Sequence, residues 1–177
     1  EAIALTLAEV GVNVNCLPLL DVRVPETTPA IGDRALGSEP MRVAAMGRAI
    51  MDGLQSGGVV GVVKHMPGHG RAIIDSHHEL PTVSASRAEL EQDFAPFRAL
   101  NTAPMGMTSH IVYEAYDADR CATMSPIIID DVIRGEIGFD GLLMSDDLDM
   151  KALKGDVPLR ALKCVEAGCD LALNCWG

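Results

Sequence analysis

Residues 57–64 read GGVVGVVK, an apolar run of valines that lies between glycines and ends on a lysine. A continuous run of this kind is typical of a parallel β-strand buried on both faces, because a half-exposed strand would alternate apolar with polar residues. Other stretches also read as strands, and they lie at residues 12–20, 104–110, 141–147 and 169–175. Helical patterns precede and separate them, at residues 1–10, 38–55, 87–100, 125–138 and 158–167.

This alternation of strands and helices predicts an α/β protein, a parallel sheet covered by helices. Both a (β/α) barrel and a doubly wound open sheet build their sites at the carboxyl ends of the strands. Periodicity does not separate the two, but the absence of GxGxxG and Walker A motifs weakens a nucleotide-binding version. Polar residues stand directly after the predicted strands, namely Asp21, Lys64–His65, Ser109–His110, Ser145–Asp147 and Asn174.

Composition excludes several classes of partner. The 177 residues carry a formal net charge of -11, which argues against nucleic acid or an anionic membrane surface. No apolar run approaches the ~20 residues of a membrane-spanning helix. The five cysteines are an odd number and show no CxxC spacing. They predict free thiols in a reducing compartment rather than a disulfide framework.

A loop of mixed chemistry follows the opening strand, and residues 64–78 read KHMPGHGRAIIDSHH. Its four histidines first suggest a metal site, since His65 and His69 are spaced as on a metalloprotease helix. Pro67 and Gly68 between them argue against a helix, and the HExxH glutamate is missing. A phosphate loop would need the GxxxxGK[ST] order, which is absent. Metal and phosphate are therefore the weaker interpretations of this loop.

Asp75 and His77 suggest acid–base chemistry instead. In an extended segment, positions i and i+2 point to the same side. A carboxylate beside an imidazole favours the imidazolium and fixes the tautomer, so the pair could exchange a proton near neutral pH. The competing interpretation of this pair is a surface Asp and His in a polar loop. For His69, His78 and His110, the competing interpretation is a histidine that only bonds to backbone.

The SDDLDM segment at residues 145–150 places carboxylates directly after a predicted strand. Asp146 would project into the mouth of a site on a parallel sheet. There it could be a nucleophile, a metal ligand or the N-cap of the next helix. Asp147 is the better candidate for the N-cap, because it lies nearer the predicted helix.

Taken together, the motifs of this chain resemble those of glycoside hydrolase family 3. The segments KHMPGHG (64–70), DSH (75–77) and GLLMSDDLDM (141–150) are similar to motifs of that family. The segments IGDRALG (31–37), MGMTSHIVY (105–113) and AGCDLALNC (167–175) resemble its bacterial β-N-acetylhexosaminidases. The resemblance runs across essentially all 177 residues.

The resemblance implies a (β/α)8 TIM-type barrel and retaining hydrolysis through a covalent glycosyl-enzyme. It implies that Asp146 is the nucleophile, that His77 is the acid/base and that Asp75 pairs with His77. Arg34, Lys64 and His65 match residues that hold the N-acetylglucosamine unit. The substrate would be a peptidoglycan fragment with terminal β-linked N-acetylglucosamine, hydrolysed in the cytoplasm by a protein that is a monomer at full length. No metal or cofactor is implied.

The main departure from the family is the length of the chain, since a barrel of this type typically needs ~250 residues. We count about five parallel strands and expect residues 1–177 to be a partial catalytic barrel that lacks the first strands and the final part. The alternatives are a family 3 β-glucosidase, an N-acetylglucosaminide phosphorylase, a noncatalytic sugar-binding fragment and a metal-dependent hydrolase.

Overall fold

A computed structural model describes residues 1–176 and contains a four-stranded parallel sheet. Its strands, numbered in chain order over the whole molecule, are β1 Val14–Asn15, β2 Val60–Met66, β4 Met105–Thr108 and β7 Leu142–Met144. They lie in the order β1-β2-β4-β7, so each crossover passes through a helical segment. The central strand β2 is the opening apolar run, extended by two residues past the predicted end. The predicted parallel sheet is therefore confirmed.

The fifth strand predicted at residues 169–175 is wrong, because this segment forms only a single parallel bridge, between Leu171 and Met144 of β7. The carboxylate of Asp170 accepts the backbone N–H of Leu143 at 2.8 Å. A neighbouring strand would offer a carbonyl oxygen at that place. The segment therefore runs beside β7 without forming a regular ladder.

Helices cover the sheet, and their starts follow capping chemistry. The helices are α1 Ala2–Glu9, α2 Pro40–Ser56, α3 Arg87–Ala99, a π-helix over Ile128–Glu136 and α4 Val157–Glu166, with short 3₁₀ turns at Gly32–Arg34 and Ala122–Met124. Ser86 and Glu89 form a capping box at the start of α3. Glu39, with Pro40 after it, caps α2 by accepting two backbone N–H groups.

A second, three-stranded sheet lies beside the carboxyl end of the main one. It pairs β3 (Thr82–Val83) in parallel with β5 (Val112–Tyr113), and β5 antiparallel with β6 (Asp117–Cys121). The hydroxyl of Tyr113 donates to the backbone oxygen of Gly68 at 2.8 Å. This small sheet therefore supports the loop that follows β2.

The buried apolar side chains form three clusters. The largest joins the sheet to the helices, and all three phenylalanines of the chain are fully buried in it. Apolar side chains remain exposed at both edges of the main sheet. They are Ile3, Val10, Val12 and Val14 near α1 and β1, and Leu159, Leu162, Val165 and Leu171 near α4. The five cysteines are free, and Cys121, Cys164 and Cys169 are buried.

Within residues 1–176, no helix has the length and apolar character needed to span a bilayer.

Candidate active site

One cavity of about 510 Å³ opens at the carboxyl ends of the parallel strands. β2 and the loops after β2 and β7 contribute most of its polar side chains, as expected for this end of a parallel sheet. All six site residues expected from the sequence line it, namely Arg34, Lys64, His65, Asp75, His77 and Asp146. A second cavity of about 450 Å³, beside α4 and β6, contains none of them.

Asp146 is almost fully buried directly after β7, and its Oδ1 accepts the backbone N–H of Asp147 at 2.8 Å. Burial alone would raise the pKa of the Asp146 carboxyl. The rings of His65 and His110, the Asp147 N–H and the Lys64 ammonium outweigh burial and hold that pKa below its ordinary value. Asp146 is therefore a buried, ionised carboxylate, which is the state that a nucleophile requires.

The capping interpretation is wrong for both aspartates, because no helix starts near them. α4 begins at Val157, and Asp156 is its N-cap. Asp147 instead accepts the backbone N–H groups of Asp149 and Cys175, each at 3.1 Å. Asp147 therefore connects the loop after β7 to the segment at residues 169–175 by hydrogen bonds.

The loop from Asp146 to Asp156, called here the Asp146 loop, is held by one arginine of α4. Arg160 donates from Nη1 to the carbonyl oxygen of Leu148 at 2.6 Å, and from Nη2 to that of Leu153 at 2.6 Å. A third, longer bond of 3.3 Å reaches the carbonyl oxygen of Met150. Charged donors of this kind are stronger than neutral ones. Arg160 therefore fixes the backbone that follows Asp146.

Asp75 and His77 form the expected pair at the mouth of the cavity. His77 Nδ1 lies 2.7 Å from Asp75 Oδ1, and the same oxygen accepts the His77 backbone N–H at 2.9 Å. The slight burial of Asp75 would raise its pKa, but the bonds to His77 and the charges of His77 and His78 lower it. An ionised Asp75 accepts a hydrogen bond from Nδ1–H of His77, so Nε2 of His77 is left for proton exchange.

The loop that carries this pair, residues 64–79, is called here the His-rich loop, and its base is anchored. Arg71 Nε donates to the buried carboxylate of Asp93 on α3 at 2.6 Å. At Gly70 a Cβ would overlap the carbonyl oxygen of Val22, so only glycine fits there. The base of the loop, residues 64–72, therefore packs directly on its neighbours.

The tip of the His-rich loop, residues 73–79, is different. Ile73 and the side chain of His77 are more than half exposed. Its contact with the Asp146 loop is a long one, 3.9 Å from Ser76 Oγ to the sulfur of Met150. Few interactions hold the tip in place, in contrast to the base.

The three expected sugar-binding residues line the cavity with polar side chains. Arg34 ends a 3₁₀ turn and donates from Nη1 to the Ala30 carbonyl oxygen at 2.8 Å. Lys64 is half-buried, and burial lowers its pKa. Cys16 and Asp146 act in the opposite direction, and Arg34 lowers it further. His65 is nearly fully buried, and its Nδ1 lies 2.8 Å from Asp21 Oδ2.

Several residues of the site had no role assigned from the sequence. Asp21, Trp176 and His69 are the clearest, and Asp21 carried a visible signal, because it follows a strand as Asp146 does. The interpretation of histidines that only bond to backbone holds in part for His110. Its Nε2 donates to the Asp147 carbonyl oxygen at 3.0 Å, but its Nδ1 lies 2.8 Å from the side-chain oxygen of Thr123. The interpretation is wrong for His69, since Nδ1 of that ring is buried with no hydrogen-bond partner among the described residues.

His69 is held neutral by its surroundings. Burial and the neighbouring His65 ring lower its pKa to about 4. Its ring centroid lies 5.5 Å from that of His65, in an edge-to-face arrangement. Within residues 1–176, no three His, Cys, Asp or Glu side chains lie close enough together to hold a metal ion.

Residues 1–176 match the family model described as the glycosyl hydrolase family 3 N terminal domain. A curated relative named "Beta-hexosaminidase", from Alkalilimnicola ehrlichii, is 42% identical over 170 residues, and the match covers 93% of this chain and 48% of that protein. A second "Beta-hexosaminidase", from Chromobacterium violaceum, is 39% identical over 178 residues, with 98% of this chain and 49% of that protein covered. The chain thus spans about half the length of these relatives.

A similar solved structure is a glycoside hydrolase family 3 β-N-acetylglucosaminidase from Paenibacillus sp. str. FPU-7. It superposes with a TM-score of 0.93 at 38% identity, over 97% of this chain and 34% of that one. NagZ from Neisseria gonorrhoeae in complex with N-trifluoroacetyl-D-glucosamine superposes with a TM-score of 0.87 at 37% identity, over 97% of this chain and 50% of that one.

Proposed function

The chain belongs to glycosyl hydrolase family 3, and on this premise we propose that it acts as a retaining exo-β-N-acetylglucosaminidase. The family resemblance expected from the motifs is confirmed, as is the TIM-barrel-type α/β fold, present here as a partial barrel. The observation that carries the proposal is one cavity lined both by the buried, ionised Asp146 and by the Asp75–His77 pair.

In the first step, Asp146 forms a bond from a carboxylate oxygen to the anomeric carbon. The bond from that carbon to the leaving oxygen breaks, and the leaving oxygen takes a proton from His77 Nε2. Asp75 stabilises the imidazolium that supplies this proton. The products of the step are a glycosyl ester of Asp146, a neutral His77 and the free aglycone.

In the second step, water attacks the anomeric carbon and gives its proton to His77 Nε2, and the Asp146 ester is released. Two displacements at one carbon retain the anomeric configuration. Most retaining glycosidases use a carboxylic acid for proton transfer. An imidazole serves here because its ordinary pKa lies close to neutral pH, where it can both donate and accept a proton.

We further propose that Arg34, Lys64 and His65 bind the hydroxyl and acetamido groups of the sugar. Each contributes to the cavity wall beside Asp146. A preference for N-acetylglucosamine is supported by the relatives, one of which was solved with an N-acylated glucosamine. No bound metal or cofactor enters the proposed steps.

The proposed biological substrate is a peptidoglycan fragment such as N-acetylglucosamine linked to anhydro-N-acetylmuramic acid, cleaved in the cytoplasm. The five free thiols support a reducing compartment. The net charge of -11 supports a soluble carbohydrate as partner rather than nucleic acid or a membrane. We propose that the complete protein is a monomer, with residues 1–177 as part of one catalytic barrel.

The test is Asp146→Ala in the complete protein, assayed on an aryl β-N-acetylglucosaminide. We expect turnover to fall by about 10⁴-fold or more, because no other group can form the covalent intermediate. Asp149→Ala is the matched control. Its side chain is exposed in the same loop, and only its backbone N–H bonds to Asp147. Near wild-type turnover by the Asp146 variant would refute the proposal.

The same assay separates the alternatives. Faster cleavage of the aryl glucoside would favour a β-glucosidase. Sugar 1-phosphate formed in the presence of phosphate would favour a phosphorylase, and chelator-sensitive turnover a metal-dependent hydrolase. Sugar binding without any turnover would favour a noncatalytic protein.

A further inference from the structure

Asp21 lies at the carboxyl end of the first parallel segment, next to the end of β2. Leu19 pairs with Lys64 in a parallel bridge, and the Leu20 backbone N–H donates to the Lys64 carbonyl oxygen at 2.7 Å. The Asp21 side chain is completely buried. It is not among the residues that line the cavity, so it is not expected to touch a bound sugar.

The Asp21 carboxylate makes three hydrogen bonds, all to the His-rich loop. Oδ1 accepts the backbone N–H of His65 at 3.1 Å and that of His69 at 2.7 Å. Oδ2 lies 2.8 Å from Nδ1 of the His65 ring. One side chain thus holds both the backbone and the ring of His65, 44 residues away in sequence.

A buried carboxylate is costly unless its charge is bonded. Burial would raise the pKa of Asp21, but the His65 ring and the His69 backbone N–H outweigh it, so the pKa lies below its ordinary value. An ionised carboxylate only accepts hydrogen bonds. Nδ1 of His65 must therefore carry a proton, and Nε2 is the ring nitrogen left to face the cavity that His65 lines.

We infer that Asp21 is a positioning residue, which keeps a proton on Nδ1 of His65 so that Nε2 is the atom offered to the bound sugar. The inference rests on the proposed function for the identity of the ligand, but the proton position is a property of the free protein. It also assigns chemistry to a carboxylate that the catalytic steps do not use.

Asp21→Asn tests this directly. Asparagine keeps an oxygen for the two backbone N–H groups but replaces Oδ2 with an NH₂ donor, which requires an unprotonated Nδ1. The Ser-His-Asp triad of serine proteases is comparable, because Asp→Asn there leaves the geometry intact and lowers kcat by about 10⁴ through the wrong tautomer. In Asp21→Asn we likewise expect the proton of the His65 ring to move from Nδ1 to Nε2.

The readout is the set of ring ¹⁵N chemical shifts of His65, assigned by their loss in His65→Gln. In the wild-type protein at pH 8 we expect Nδ1 to be protonated, and in Asp21→Asn we expect the proton on Nε2. Binding of N-acetylglucosamine, followed by NMR titration, should weaken by about 10- to 100-fold in Asp21→Asn. An unprotonated Nδ1 in the wild type, or a protonated Nδ1 in the variant, would overturn the inference.

A double-mutant cycle separates positioning from a general effect on structure. If Asp21 acts through the His65 ring, Asp21→Asn should change sugar affinity less than about twofold when His65 is already Gln. An equal loss of sugar affinity on Asp21→Asn, whether position 65 is His or Gln, would overturn the inference. Should Asp21→Asn fail to fold, the position of the His65 proton in the wild-type protein is the deciding measurement. If that proton moves from Nδ1 to Nε2 in Asp21→Asn but the wild-type protein shows no turnover, the proposed function is rejected and the role of Asp21 stands.

Discussion

The Asp75 carboxylate holds His77 twice through one oxygen, at 2.7 Å to the ring Nδ1 and at 2.9 Å to the backbone N–H. The ring and backbone of His77 are therefore oriented by the same atom, although the side chain itself is more than half exposed. This gives a solvent-accessible imidazole a defined tautomer.

Replacement of His77 by Gln should slow substrates with poor leaving groups by about 10²- to 10⁴-fold, because these need a proton on the departing oxygen. An activated aryl glycoside should be slowed much less in its first step. The measurement is kcat/KM for an alkyl and a nitrophenyl β-N-acetylglucosaminide. His78→Gln is the control, since that ring lies 3.8 Å from Asp75 and does not line the cavity. Equal losses on both substrates would contradict the acid role of His77.

The buried, neutral His69 should make stability depend on pH. Its pKa is about 4 in the folded protein against an ordinary value of 6.5, so the unfolded chain binds more protons between these values. Stability from this group is therefore present above pH 6.5 and is lost as the pH falls towards 4. A shift of this size corresponds to about 3 kcal/mol. Urea unfolding at several pH values between 4 and 6.5 gives the free energy of unfolding as a function of pH. That free energy should change less steeply with pH in His69→Gln than in the wild type. The same pH dependence in both proteins would contradict the prediction.

Arg160→Met should loosen the Asp146 loop, because three backbone carbonyl oxygens lose their charged donor. We expect the free energy of unfolding to fall by about 2–4 kcal/mol. Lys163→Met, on the same helix, makes a matched control because Lys163 has no ion-pair partner within residues 1–176. Urea titration followed by circular dichroism measures both, and equal small losses would show that Arg160 does not hold the loop.

Trp176 should report occupancy of the cavity. It is the single tryptophan of the 177 residues, is 72% exposed and lines the cavity with Asp146 and His77. Adding N-acetylglucosamine should therefore change its emission, because the ring loses contact with water. Trp176→Phe is the control and should abolish the saturable change. A saturable change that survives in this variant would place the reporter elsewhere.

The sequence predicted those features that depend on local pattern or on strand order. The valine run of β2 was recognisable because a strand buried on both faces has no polar positions. Lys64, His65 and Asp146 could be grouped from strand order, since parallel strands bring their carboxyl ends to one edge. Arg34 was placed in the same site by the family resemblance, and so were the chemical roles of all six residues, Asp75 and His77 included.

Other features could not be read from local pattern. The strands β3 and β5 are two residues long, too short for any periodicity. The strand predicted at residues 169–175 was wrong because an apolar run does not reveal that the Asp170 carboxylate accepts a hydrogen bond from the backbone N–H of Leu143. Asp21 was visible as a polar residue after a strand, but its partners are 44 and 48 residues away, so its contacts required the fold.

The contrast between the anchored base and the exposed tip of the His-rich loop has a consequence for divergence within the family. Among the groups expected to bind the sugar and attack its anomeric carbon, Lys64, His65 and Asp146 lie at strand ends and Arg34 lies in a 3₁₀ turn. The proton-transfer group, His77, lies on the tip. Apart from the buried Ser76, residues 73–79 meet few packing constraints, so substitutions there can exchange the acid/base without disturbing the core. The fold thereby lets the identity of the proton donor evolve independently of sugar recognition.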